Sequence, residues 1–251
     1  MPASTAQKPG TAAPACDIDF FSDECVMDPV PAYHRMLATG PVVWLPRNRL
    51  HAICGYDALT ESLRNHKVFR SGKGVSVDDS INAFLIGSTL NSDPPEHDAT
   101  RAITFGPLTP KALEAVRARI EEEAQLIADR VVAQREFDAV SELATHLPLA
   151  IVRDLVGLGA HGKEHMLKWA AATFELMGDP RDRRDTATMN LDELRQFLED
   201  PHVLNDLGPD GWANRATRMA VEAGMDHRKA ISLMRDYIAP SLDTTISAIG
   251  Y

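Results

Sequence analysis

Residues 231–245 read ISLMRDYIAPSLDTT, a largely apolar helical pattern with a proline inside it. Because Pro240 removes a backbone hydrogen bond, we expect it to kink the helix at a cost of roughly 3 kcal/mol. A carboxylate and two hydroxyls, those of Asp243, Thr244 and Thr245, follow directly. They could form a short polar relay that passes protons to a group in the opened groove. Equally, the threonines could bond back to carbonyls of their own helix.

A second informative stretch is NSDPPEHDATR at residues 91–101, which is typical of a helix start. Ser92 or Asp93 can cap this helix, and the prolines are tolerated in its first turn. His97 and Arg101 lie one turn apart on the same face. An imidazole and a planar guanidinium that project together can clamp a carboxylate or phosphate. The alternative, which the spacing alone favours, is two surface residues on a solvated helix.

The remaining pattern predicts a mainly α protein with one small β-hairpin. Residues 42–45 and 50–54 indicate two strands joined by a polar turn. Residues 69–90 contain three glycines and indicate a long loop, and the charged residues 179–188 indicate an exposed connection. Helical periodicity is present at residues 29–40, 56–66, 110–135, 140–156, 162–177, 192–200 and 227–251.

Composition excludes several classes of protein. The 251 residues are 44% hydrophobic, enough for a sizeable core, and the net charge of -10 argues against nucleic-acid binding. Cys16, Cys25 and Cys54 form no CxxC pair, so we expect neither disulfides nor a zinc site, and a reducing cytoplasm suits them. Residues 1–16 are interpreted as a disordered leader without a signal peptide or membrane anchor, so no membrane association is expected.

The order of these pieces favours one interpretation. Over nearly all of residues 17–250 the chain resembles the cytochrome P-450 superfamily of the soluble bacterial type. The resemblance rests on a short helix and hairpin, a long loop, the stretch DPPEHDATR at residues 93–101, a helical block, and LDTT at residues 242–245. It implies the N-terminal and central part of that fold. Residues 17–251 are then an incomplete domain that ends in the helix over the oxygen site.

The resemblance assigns a target to the residues of the first helix motif. In this family the corresponding histidine and arginine bind a haem propionate. His97 and Arg101 are therefore expected to be haem ligands of this kind, and Phe105, one turn further on, to pack near the haem edge.

The resemblance also assigns roles on the last helix. It implies that Thr244 stabilises the bound dioxygen and that Asp243 helps to supply protons for cleavage of the O–O bond. The family usually has a small residue and a glycine before this pair, where this chain has Pro240 and Ser241. The Pro240 kink could open the oxygen groove where the family relies on small residues.

The implied activity is that of a haem monooxygenase, which inserts one atom of O2 into a small organic substrate. Electrons would come from NAD(P)H through ferredoxin reductase and ferredoxin. The long loop 69–90 would cover the substrate, and Phe174, Met177 and Ala239 are the candidate apolar contacts. The alternative is that Phe174 and Met177 are ordinary core residues, since their spacing is helical.

One part of the family pattern cannot be assigned. The family needs a Glu-x-x-Arg pair and a cysteine loop that supplies the iron's thiolate ligand, and none of the three cysteines lies in the ligand's place, so no metal-ligating residue is predicted. The chain alone is expected to be an inactive fragment, poorly soluble because of exposed apolar surface.

Two other classes remain open. The first is a truncated helical relative that binds a ligand or partner without redox chemistry. The second is a hydrolase or metalloenzyme, which is disfavoured because no HExxH, no GxSxG and no clustered ligand set is visible in the sequence.

Overall fold

The structure is a computed structural model that describes residues 12–250, and its backbone divides into two compact units after Phe69. In the first unit, strands β1 (Val42–Leu45) and β2 (Leu50–Ile53) form an antiparallel hairpin, as predicted. Val42 faces Ile53 and Leu45 faces Leu50. Three helices accompany the hairpin: α1 (Asp23–Met27), α2 (Val30–Thr39) and α3 (Tyr56–Arg64).

The described part of the expected leader is ordered, in contrast to the prediction. The Trp44 amide donates to the Pro14 carbonyl at 2.9 Å, and the Cys16 amide donates to the Trp44 carbonyl at 2.9 Å. The free backbone groups along the outer edge of β1 therefore find partners in this segment. Cys16 is buried against the small core of this unit. Residues 1–11 lie outside the described part of the chain.

The second unit, residues 70–250, is helical throughout its described secondary structure. Its core forms where α9, α10 and α13 pack together, with Trp169 and Tyr237 as its largest buried side chains. The helices are α4 (Asp79–Leu85), α5 (Glu96–Thr104), α6 (Pro110–Glu114), α7 (Arg117–Gln134), α8 (His146–Val156), α9 (Ala160–Met177), α10 (Arg184–Glu199), α11 (Trp212–Glu222), α12 (His227–Ser232) and α13 (Arg235–Gly250). The predicted fold class, mainly α with a small hairpin, is confirmed.

The segment predicted as a long loop, residues 69–90, contains helix α4. Asp78 caps this helix, because its carboxylate accepts the Ser80 amide at 2.8 Å. Ile81 and Leu85, one turn apart, bury their side chains in the core. The glycines around this short helix concealed it in the sequence.

Other boundaries also differ from the predictions. Residues 110–135 form two helices rather than one, and a π-helix (Ala139–Ala144) precedes α8. Most of the expected connection 179–188 is a 3-10 turn followed by the start of α10. Helix α11 was not predicted, because its buried face consists of small residues and gives no strong apolar stripe: Ala213, Ala216, Thr217 and Ala220.

Candidate functional site

Helix α5 carries the predicted anion clamp on its outer side. The inner side of α5 is buried and consists of Thr100, Ile103 and Thr104. His97 is half-buried, and its Nδ1 lies 3.1 Å from the Asp98 carboxylate, so Nε2 points away from that acid. The exposed Arg101 guanidinium stacks 4.9 Å from the centre of the Phe105 ring. Among residues 12–250, no carboxylate lies within 4.0 Å of Arg101, so its charge is available to an anion.

The start of α5 is held differently from the prediction. Neither Ser92 nor Asp93 caps the helix with its side chain, and Pro95 occupies the N-cap position. The Asp93 carboxylate accepts the backbone amides of Ser71 at 3.1 Å and Gly72 at 3.2 Å. Asp93 therefore holds the backbone of Ser71 and Gly72 next to the residues that precede α5.

Two charged residues at the start of α13 fix the segment that leads from α4 to α5. Arg235 donates to the Phe84 carbonyl and to the Ser232 carbonyl, the latter at 3.1 Å, while its guanidinium stacks 4.8 Å from the Phe84 ring centre. Asp236 accepts the Thr89 amide at 3.2 Å and the Thr89 hydroxyl at 2.5 Å. Burial raises the pKa of Asp236 and lowers the pKa of Arg235. Both groups are therefore costly to ionise here and need these partners.

The next residue, Tyr237, joins α13 to α5. Its side chain is buried, and its hydroxyl donates to the carbonyl of Thr104, the last residue of α5, at 2.8 Å. Burial raises the pKa of both Asp236 and Tyr237, and the charge of Arg101 is among the weaker effects that oppose this rise. The clamp on α5 and the first turn of α13 are thus adjacent.

The predicted acid and alcohols lie on the second half of α13, which is more exposed. Thr244 donates its hydroxyl to the Pro240 carbonyl at 2.7 Å, and Thr245 donates to the Ser241 carbonyl at 3.4 Å. Both threonines thus bond to carbonyls of their own helix, which is the alternative to a proton relay given in the sequence analysis. Asp243 is half-buried, and burial raises the pKa of its carboxyl. The roles assigned to Asp243 and Thr244 remain predictions.

The three predicted substrate contacts line one cavity. Phe174 and Met177 from α9 and Ala239 from α13 line a mostly apolar cavity of about 70 Å³, which Phe84 of α4 also lines. Pockets for organic ligands usually measure about 300 to 1,000 Å³. In this state the cavity is therefore too small for such a ligand, and the substrate assignment remains a prediction.

Sequence reasoning missed the charged pair Arg235 and Asp236, although two adjacent charges in an otherwise apolar helix are a readable signal of buried partners. It also missed a cluster on the α9–α10 pair. Ligand atoms of His161, His165 and Glu193 all lie within 4.8 Å of one another. No clustered ligand set is visible in the sequence because Glu193 lies on a different helix from the two histidines. The HGKEH spacing of residues 161–165 could have revealed the two histidines.

All three cysteines belong to the first unit. Cys16 and Cys25 are buried, and Cys54 is half-buried directly after β2. Burial raises the pKa of Cys25 and Cys54, which favours their neutral thiols. A buried thiol of this kind is a packing group rather than a thiolate ligand.

The site thus consists of a helix with an exposed cationic clamp and a second helix with an internal proline and an acid–alcohol pair. The Tyr237–Thr104 hydrogen bond joins the two helices, in a mainly α fold with one hairpin. In sequence and in fold, the chain is similar to cytochromes P450. Among curated relatives, it is 26% identical over 257 residues to the cytochrome P450 CYP199A2 of Rhodopseudomonas palustris, a match that covers 100% of this chain and 62% of that protein. The chain thus spans about three fifths of this relative.

Solved structures agree on the fold. Full-length CYP116B46 from Tepidiphilus thermophilus matches with a TM-score of 0.77 and 18% identity, over 92% of this chain and 33% of that one. P450BioI, solved in complex with an acyl carrier protein carrying hexadec-9Z-enoic acid, matches with a TM-score of 0.72 and 16% identity, over 90% and 60%. No protein-family model matches the chain. No helix among the described residues is long and apolar enough to cross a bilayer.

Proposed function

We propose that this chain forms the oxygen-side part of a haem monooxygenase that inserts one atom of O2 into a small organic substrate. The observation that supports this best is the junction of α5 and α13. A cationic clamp without a carboxylate partner lies on α5, and the Tyr237–Thr104 hydrogen bond joins α5 to the helix with the acid–alcohol pair.

The residues present fit a haem. Its two propionates need cationic or hydrogen-bonding groups, and its flat apolar ring needs an uncovered apolar or aromatic surface. The Arg101 charge is available, and Phe105 exposes 42% of its surface beside it. Pro240 and Thr244 on α13 are likewise exposed. When bound, the haem supplies the redox-active iron at which O2 is activated.

In this proposal α5 binds and orients the cofactor. The Arg101 guanidinium makes charge-assisted hydrogen bonds to a propionate, and stacking on Phe105 holds its plane. His97 adds a second donor, Nε2–H, in its doubly protonated form, in which Nδ1–H donates to the Asp98 carboxylate. Both side chains start from neighbouring turns of one rigid helix, so the clamp is preorganised.

In this proposal Asp243 and Thr244 of helix α13 supply protons. Burial raises the pKa of Asp243, so this carboxyl holds a proton to a higher pH than an exposed aspartate and can release it inward. Thr244 can turn its hydroxyl away from the Pro240 carbonyl, because it gives up a single hydrogen bond in doing so. The Pro240 carbonyl that this leaves free, and the Asp236 carbonyl to which Pro240 can donate no N–H, keep this part of the helix polar.

The substrate would lie against Phe174, Met177 and Ala239, whose side chains exclude water. Their cavity must widen from about 70 Å³ to admit an organic molecule. Phe84 also lines this cavity, and its carbonyl accepts a hydrogen bond from Arg235. The electron donors we expect are ferredoxin and ferredoxin reductase with NAD(P)H, in the cytoplasm. This part of the proposal rests on the likeness to the superfamily.

A haem titration of the 251-residue chain tests the clamp. Arg101→Gln and His97→Gln should each weaken haem binding by about 10-fold, the value of one charge-assisted hydrogen bond. Arg117→Gln is the matched control, since Arg117 is also exposed but pairs with Glu114 on the α6–α7 side. Haem dimethyl ester, which lacks charged propionates, should bind all four proteins with the same lower affinity. Equal haem affinity of the original chain and both clamp variants would contradict the proposal.

A further inference from the structure

A second cluster of ligating side chains lies on the α9–α10 pair, in the first half of α9. The rings of His161 and His165 are 4.3 Å apart and nearly perpendicular. Across the helix pair, Glu193 Oε1 lies 3.9 Å from His161 Nε2 and 3.7 Å from His165 Nε2. Two imidazole nitrogens and one carboxylate oxygen thus converge on one point.

The spacing is close to that of a metal site. A tetrahedral ion with bonds of roughly 2.0–2.1 Å holds its ligand atoms about 3.3 Å apart. The three ligand atoms here all lie within 4.8 Å of one another, so small side-chain rotations would bring them to the separation that a bound ion requires. His161 and Glu193 are partly exposed, with side-chain exposures of 55% and 30%, so these rotations are unobstructed on the solvent side.

The surroundings hold the ligands in place. Both histidine rings lie 5.9 Å from the buried Trp169 ring, which forms a rigid wall behind them. Lys168 Nζ binds Glu193 Oε2 at 2.6 Å, which turns the other carboxylate oxygen toward the imidazoles. Such orientation of a ligating carboxylate by an outer partner is common in metal sites.

The two helices approach closely at this point because α9 has a glycine there. A Cβ on Gly162 would lie 2.7 Å from the Leu158 Cβ and 3.1 Å from the Phe197 ring of α10. A side chain at residue 162 would therefore force Leu158 to shift and the tip of the Phe197 ring to move by a few tenths of an ångström, which would disturb the packing of α9 against α10 beside the cluster.

We propose that His161, His165 and Glu193 bind a divalent transition-metal ion of the zinc class, with water completing the coordination. Two imidazoles and a carboxylate suit zinc, nickel or cobalt far better than magnesium or calcium, which prefer oxygen ligands throughout. The histidines come from α9 and the glutamate from α10, so the ion cross-links the two helices. It lies in the other half of α9 from Phe174 and Met177, and thus apart from the proposed substrate cavity.

Calorimetric titration of the untagged, metal-stripped 251-residue chain with zinc chloride tests this. We expect one ion per chain, and at least about 10-fold weaker binding for His165→Gln, His161→Gln and Glu193→Gln. His202→Gln, which removes an exposed histidine elsewhere, should leave the affinity unchanged. Magnesium chloride should produce no binding heat.

A second measurement separates loss of the site from loss of the fold. Zinc should raise the melting temperature of the original chain and of His202→Gln, but not of the three ligand variants, whose helical circular dichroism should match the original. Absence of zinc binding, or binding that all three ligand variants retain, would overturn the proposal. Neither result depends on whether the chain binds haem.

Discussion

The two halves of α13 differ in how their polar groups find partners. In the first turn, Arg235, Asp236 and Tyr237 reach out of the helix to the segment between α4 and the end of α5. In the last two turns, Thr244 and Thr245 donate to carbonyls of their own helix and stay exposed. Polar groups with distant partners are costly to remove and hold the fold, whereas self-satisfied groups are cheap to redirect. The first half of α13 is therefore an anchor, and the second half is available for chemistry.

The largest effect is expected at the anchor. Asp236→Ala leaves the Thr89 amide and hydroxyl without their acceptor and Arg235 without its neighbouring charge. We expect the free energy of unfolding to fall by about 3 kcal/mol. Asp243→Ala, on the same helix, should change it by less than about 0.5 kcal/mol, because no such partners are lost. Urea denaturation of both variants measures the difference, and equal losses would remove the distinction between the two halves.

The boundary between the halves is Pro240, which has an exposed side chain inside the helix. Pro240→Ala restores an N–H that can bond to the Asp236 carbonyl and adds a better helix former. We expect unfolding to become harder by about 2 kcal/mol. An alanine substitution at Ser241, the next residue, serves as control and should have almost no effect. A destabilised Pro240→Ala protein would show that the proline is needed for packing rather than tolerated for function.

A smaller effect is expected from pH. Burial raises the pKa of both Asp236 and Asp243 above the ordinary value of 3.8. Each carboxyl therefore contributes stability that is complete below pH 3.8 and is lost as pH rises through its folded-state pKa. Asp236→Asn should flatten this decline more than Asp243→Asn, because Asp236 is the more deeply buried. Urea denaturation at a series of pH values upward from 3.8 measures it. A decline that Asp236→Asn leaves unchanged would assign it to other groups.

Periodicity in the sequence predicted the elements whose buried residues are large. The hairpin, α9 and α13 appear near the predicted residues, whereas α5, whose buried side is Thr100, Ile103 and Thr104, was predicted from its start signal. Helix α11 was not predicted because the face that it buries is mostly alanine. Helix α4 was not predicted because Ile81 and Leu85 are its only buried residues. A hydrophobic pattern is informative only where the side chains that enter the core are strongly apolar.

The contacts of the candidate site could not be predicted in the same way. Phe174, Met177 and Ala239 were found together because a family resemblance gave their places. The pairing of Asp236 with Thr89 joins residues 147 apart in the chain, and no local pattern encodes it. The same holds for Glu193 and the two histidines, since the crossing of α9 and α10 decides which residues meet.

Substitution of Thr244 should have the smallest effect on stability, and it provides the sharpest test of function. Thr244→Ala removes an exposed hydroxyl that bonds only to the Pro240 carbonyl, so the unfolding free energy should change by less than about 0.5 kcal/mol. In a haem-loaded enzyme that contains this chain, the same change should lower the ratio of product formed to NAD(P)H consumed, because a proton donor next to Asp243 is lost. Thr244→Ser keeps the hydroxyl and should restore the ratio. If Thr244→Ala left the ratio of product to NAD(P)H unchanged, the second half of α13 would have no role in proton supply. The two halves of the helix would then differ only in how deeply their side chains are buried.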